Sequence, residues 1–88
     1  MKILDLLVRK KHGIHLRIAA QIVAKLKHYD AKVSISKEGG HSARADSVLD
    51  LLSLAVTENS KIRVTAEGRD EDKVIDEVGG FFTDGAGI

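Results

Sequence analysis

Cysteine is absent from this 88-residue chain, and its aromatic residues amount to one tyrosine and two phenylalanines, Tyr29, Phe81 and Phe82. Without cysteine there are neither disulfides nor thiolate metal sites, so packing alone must hold the fold, and a reducing, cytoplasmic setting is the expectation. The three aromatics fall outside every predicted strand. An open sheet built from this chain therefore lacks the stacking platform that single-stranded RNA requires, and no nucleic-acid partner is expected. Long hydrophobic runs are missing too. Met1-Lys2-Ile3-Leu4-Asp5 carries an aspartate inside its short apolar run, and nothing approaches the roughly 18 to 20 apolar residues of a membrane span, so no membrane insertion is expected. No Ser/His/Asp spacing, phosphate-loop pattern or paired-carboxylate arrangement is recognisable.

What is present is an ordinary globular composition, 43% apolar. The length suits one small domain, taken as residues 1–88, with no repeat or low-complexity segment. The net charge of +1 conceals an asymmetry: residues 1–30 hold seven Lys/Arg against Asp5 and Asp30, for +5, and the remainder carries −4. A field of that sign around Arg9, Lys10, Lys11 and Arg17 favours anionic partners or substrates, although the Arg9 to Lys11 run taken alone reads equally as a solvated loop.

Residues 2–8 alternate as a strand with Leu4, Leu6 and Val8 inward, and residues 9–12 form a loop. From Leu16 the period becomes helical: Ile18/Ala19, Ile22/Val23 and Leu26 share one face of an amphipathic helix over 16–28. Ala31 to Lys37 alternates with Val33 and Ile35 inward, Glu38-Gly39-Gly40 supplies a hairpin turn, and His41 to Asp46 is the return strand. Ser47-Val48-Leu49-Asp50 fits a Ser-x-x-acid cap opening a helix over 47–55, broken by Glu58-Asn59-Ser60. Residues 61–67 alternate again, with Ile62, Val64 and Ala66 inward. Asp70-Glu71-Asp72 then suits a helix N-terminus, followed by an apolar face of Val74, Ile75, Val78 and Phe81/Phe82. Gly79-Gly80 costs that helix about 1 kcal/mol per glycine relative to alanine and predicts fraying or termination there. Residues 84–88 read as a loose tail. The order strand, helix, strand, strand, helix, strand, helix predicts an α+β open-faced β-sandwich, a four-stranded antiparallel sheet with three helices on one face and the other face wet.

The residues with most chemical potential are Gly13-Ile14-His15-Leu16-Arg17-Ile18-Ala19, where strand pattern yields to helix pattern. Imidazole titrates near neutrality, so one ring nitrogen can attack while the other is held by a hydrogen bond. The N–H groups of a first helical turn are unpaired and favour anions, and Arg17 adds a forked cation. A phosphoryl group on His15 would find both. On the bare residues alone, a histidine that merely caps a helix is the leading reading. His12-x-x-His15 has no carboxylate or cysteine nearby and makes a poor metal site, so neither a metal nor any other cofactor is expected.

The same seven residues resemble the active loop of HPr, the histidine-containing phosphocarrier family of the bacterial phosphoenolpyruvate-dependent sugar phosphotransferase system (PTS), usually written G-[IL]-H-[AT]-R-P-A. Ser47 to Leu54 resembles that family's serine-headed second helix, and Gly68-Arg69-Asp70-Glu71 its G-x-D-E motif before the last helix. The resemblance implies the βαββαβα fold and a carrier rather than an enzyme. His15 would accept a phosphoryl group from Enzyme I and donate it to Enzyme IIA components, with Arg17 stabilising the group. Ile18 stands where the family has proline, a loss of preorganisation of about 0.4 to 1 kcal/mol.

Ser47 matches the serine that a dedicated HPr kinase phosphorylates in some members, but Asp46 and Asp50 would oppose a phosphate there, and plain capping is the leading reading. Leu51, Leu54 and Ala55 suffice for an inward stripe on this helix, leaving Val48, Leu49 and Leu52 as surplus apolar residues. With Leu16 and Ala20 they would form a docking patch beside His15 on a monomer. Alternatively these leucines are core. The competing function is a regulatory module that docks a transcriptional regulator or enzyme through Ser47 phosphorylation, without phosphoryl transfer at His15.

Overall fold

The alternation of Lys61 to Glu67 becomes the strand that organises the sheet. The computed structural model describes residues 1–8, 14 and 16–83, Thr83 by its backbone only. Its elements are β1 (Lys2–Leu7), α1 (Leu16–Leu26), β2 (Lys32–Lys37), β3 (Ser42–Arg44), α2 (Val48–Ser53), β4 (Lys61–Glu67) and α3 (Glu71–Thr83). The sheet order is β1-β4-β2-β3, and every pairing is antiparallel. β4 therefore lies between β1, which it meets with Leu4 opposite Val64, and β2, which it meets with Ile35 opposite Val64.

Period-two alternation sends Ile62, Val64 and Ala66 of β4 into the core with Ile35 and Ala43. The helices cover that face. Ile18, Ala19, Ile22 and Leu26 come from α1, Leu51 and Leu54 from α2 and its cap, and Val74, Val78 and Phe82 from α3. Outward residues include the Asp5–Arg63 cross-strand pair, which is bidentate at 2.7 and 3.1 Å. The hydrogen bond from Arg63 holds the Asp5 carboxyl below its ordinary range.

Several expectations are corrected, beginning with α1, which ends at Leu26 and not at residue 28. The helix predicted over 47–55 spans only Val48–Ser53, which leaves residues 54–57 between it and the Glu58-Asn59-Ser60 break. Ala55 adopts a left-handed backbone (φ 54°), which stops helical propagation and turns Ala55 outward instead of into the stripe. Val48 and Leu52 are not surplus: both are half-buried against the core, because a helix this short has too few turns to restrict its apolar face to Leu51 alone. Helix α3 does not end at Gly79-Gly80 but runs through to Thr83. A Cβ on Gly79 would come within 3.2 Å of Leu4 Cδ2, so the glycine allows α3 to lie close on β1. Phe82, fully buried just beyond it, contributes about 1.5–3 kcal/mol of apolar burial, enough to offset the glycine cost.

Strand β3 is three residues long instead of six, although Ala43 and Ala45 are both buried as its pattern requires. The predicted loop at 9–12, the tail at 84–88 and His15 itself lie outside the described residues.

Candidate functional site

The described part of the site is the N-terminal end of α1. The first turn of this helix carries no acidic residue, and Arg17 is exposed within it, two positions after His15 in the sequence. Among the described residues Arg17 has neither a carboxylate partner nor a hydrogen bond. The cation is therefore available to an external anion at the end of the helix where unpaired N–H groups also favour one. Ile18, the residue that departs from the family's proline, is 2% exposed and anchors the same turn in the core. Burying it contributes about 1.5–3 kcal/mol to holding this turn on the core.

Immediately before the histidine, Ile14 is also buried, and its N–H donates to Val56 O at 3.1 Å. His15 is thus flanked in the sequence by a core residue and by the start of a helix.

Leu16 and Ala20 are exposed on α1, the leucine at 65%. Helix α1 packs against α2, where Leu49 is 79% exposed. Of the five residues assigned to a docking patch, Leu16, Ala20 and Leu49 present free surface, and Val48 and Leu52 present only part of theirs. Two leucines this exposed on one packed helix pair leave apolar area that the chain itself does not bury.

Ser47 is the N-cap of α2: its Oγ accepts from Asp50 N–H at 3.3 Å. The reciprocal half of the capping box is absent, because Asp50 Oδ2 accepts instead from Arg44 N–H at 3.3 Å. Asp46 is paired with the Arg44 guanidinium at 2.8 Å, and that bond raises the arginine above its ordinary value. The two acidic neighbours of Ser47 therefore both interact with Arg44.

Sequence reasoning missed Lys37, Ala55, Val56 and Asn59, which gather at the same end of the sheet. Lys37 Nζ donates to Ala55 O at 3.0 Å, and Asn59 N–H donates to Val8 O at 2.8 Å. An alanine carries no signal for a left-handed backbone; only Asn59, a residue type that tolerates it, was open to suspicion. No group of three or more His, Asp or Glu side chains suited to a metal occurs among the described residues.

Fold and site together define a class: a small open-faced α+β domain with an exposed arginine, without a carboxylate partner among the described residues, in the first turn of a helix that directly follows a histidine in the sequence. A family model described as the PTS HPr component phosphorylation site matches residues 4–84, and the chain belongs to this PTS-HPr family. The phosphocarrier protein HPr of Buchnera aphidicola subsp. Acyrthosiphon pisum is 36% identical over 73 residues, which cover 83% of this chain and 85% of that one. A multiphosphoryl transfer protein of Haemophilus influenzae is 29% identical over 82 residues, 91% of this chain but only 16% of the relative's length. The crystal structure of HPr from Bacillus anthracis superposes with a TM-score of 0.87 at 27% identity, covering 93% of this chain and 96% of that one.

Proposed function

We propose that the chain is a phosphocarrier of the sugar phosphotransferase system, with His15 as the phosphorylated residue and Arg17 as the cation that stabilises the group. Arg17 carries the proposal: an exposed cation two residues after the histidine, free of any carboxylate among the described residues. A nitrogen of the His15 ring attacks the phosphorus carried by phospho-Enzyme I; the new N–P bond forms as the donor's bond to phosphorus breaks, and the electron pair returns to the donor. Transfer to an Enzyme IIA component repeats the exchange with His15 as leaving group. Such transfer needs alignment and charge neutralisation more than covalent machinery, which a helix start and one guanidinium can supply. The protein is then a carrier acting between enzymes. No helix among the described residues is long and apolar enough to cross a membrane.

Leu16, Ala20 and Leu49, with part of Val48 and Leu52, would form the apolar centre of the docking surface. Ser47 serves as a helix cap. A phosphate on it would have to displace the bond from Asp50 N–H beside two carboxylates, which weighs against the regulatory reading.

Incubation with phosphoenolpyruvate and Enzyme I should add one acid-labile phosphoryl group, absent from His15→Ala. Arg17→Ala should still be phosphorylated, about 10²-fold more slowly, with stability within about 0.5 kcal/mol of wild type. Wild-type protein left unmodified by an Enzyme I that phosphorylates its own carrier would overturn the proposal.

A further inference from the structure

We infer that the turn joining α2 to β4, residues 54–60, is a positioning element for His15, an inference that rests on the carrier function proposed above. Two described residues bracket the stretch that leads to the histidine: Val8 after β1, and Ile14 directly before His15. Both are tied by their backbones to this one turn. Val8 N–H donates to Ser60 O at 2.9 Å, Val8 O accepts from Asn59 N–H at 2.8 Å, and Ile14 N–H donates to Val56 O at 3.1 Å. Val8 and Ile14 are also core residues, 0% and 7% exposed, so apolar packing holds the same two points.

The turn keeps a conformation that its composition does not favour. Ala55 (φ 54°) and Asn59 (φ 72°) are the non-glycine residues with positive φ among those described, and both lie here. Each sits at a tie: Ala55 precedes the Val56 carbonyl that holds Ile14, and Asn59 is itself the donor to Val8. Asparagine enters this region readily, whereas alanine does so only under constraint. The constraint comes from outside the turn and within it. Lys37 Nζ, reaching across from β2, donates to Ala55 O at 3.0 Å, and Ser60 Oγ accepts from Thr57 N–H at 3.0 Å. Backbone strain persists only where its surroundings enforce it, and it concentrates where geometry matters to function. Here it sets the Val56 carbonyl, hence Ile14, and hence the point from which the chain enters His15. Misplacement of that point would cost in-line alignment with an incoming phosphoryl group while leaving encounter with the partner intact.

Three variants test this. Ala55→Val brings a β-branched side chain that resists positive φ, Ala55→Gly keeps the conformation at no steric cost, and Lys37→Met removes the clamp at the surface. Two quantities are read in each: amide hydrogen exchange at Ile14, and the rate of phosphoryl acceptance from phospho-Enzyme I against carrier concentration. Ala55→Val should accelerate Ile14 exchange and lower the maximal rate by about tenfold, with the half-saturating concentration unchanged. Lys37→Met should do the same by about threefold, and it decides the matter if Ala55→Val does not fold. Ala55→Gly should track the wild type on both readouts. A folded Ala55→Val or Lys37→Met with wild-type Ile14 exchange and wild-type maximal rate overturns the inference, as does a change confined to the half-saturating concentration, which would assign the turn to docking. Wild-type protein that accepts no phosphoryl group rejects the carrier function itself; an active wild type with unaffected variants rejects the positioning role alone.

Discussion

The two ends of the sheet are held together by different means. At the end where α1 begins, backbone hydrogen bonds from Val8 and Ile14 to the 54–60 turn are backed by buried apolar side chains, and the exposed Arg17 has no ionic partner among the described residues. At the other end charged groups are paired. Arg69 bonds Asp30 at 3.1 Å, Asp70 Oδ2 accepts from Asp30 N–H at 2.8 Å, and the Met1 amino group reaches Glu71 at 3.0 Å. Chain packing there is also tight: a Cβ on Gly68 would lie 2.5 Å from Asp30 O and 2.6 Å from Ala31 Cα. The anion-binding role proposed for Arg17 requires a cation that is not spent on a neighbouring carboxylate, and the site end is anchored by apolar side chains instead. The far end is under no such demand.

The comparison can be broken at its strongest point. Ile14→Ala removes a buried anchor at the site end and should cost about 2–5 kcal/mol in denaturant unfolding, with phosphoryl acceptance falling in whatever protein remains folded. If the loss stays under 1 kcal/mol, apolar anchorage is not what holds that end.

Gly68→Ala addresses the far end. Its φ of 148° and the close approach to Asp30 and Ala31 predict a loss of about 1–3 kcal/mol, lowering the melting temperature by about 4–8 °C for each kcal/mol. Phosphoryl acceptance by the folded fraction should be unchanged, since the strain lies at the end of the sheet remote from the start of α1. A parallel drop in acceptance would mean that the two ends are coupled.

The smallest effect concerns pH. The Met1 amino group, and after it Gly68 N–H, hold the Glu71 carboxyl below its ordinary value of 4.5. Folding lowers this group's pKa, so its contribution to stability is fully present above the ordinary value and is lost as pH falls through the folded one. Glu71→Gln should therefore flatten the acid limb of the stability curve below about pH 4.5 and leave the neutral plateau nearly in place. An acid limb identical to wild type would show that the carboxylate at this end carries no pH dependence.

Much of this architecture was legible in the chain. Strand β4 falls on the predicted residues 61–67, because a half-buried strand writes its register into strict alternation. The start of α1 at Leu16 was equally plain, since the change from a period of two to one of 3.6 occurs there. The ends of α2 and α3 were not. Ala55 looks like a helix-former and terminates a helix; Gly79 and Gly80 look like terminators and lie within one. In each case a contact distant in sequence prevails over local propensity: Lys37 on Ala55, and Leu4 against Gly79.

By itself the sequence determined the order of elements, the faces that β4 and α1 present to the core, and membership of a family whose motif occupies Gly13 to Ala19. Apolar periodicity and short motifs are properties of neighbouring residues, and so they survive in the linear chain. Only the tertiary structure decided that Val48 and Leu52 are partly core, that Ile18 anchors the turn bearing Arg17, and that an alanine turn after α2 holds Ile14 beside the histidine. Those features depend on backbone carbonyls and close approaches between segments far apart in the chain. Every residue has a carbonyl, and nothing in the identity of Val56 announces which amide its own will receive.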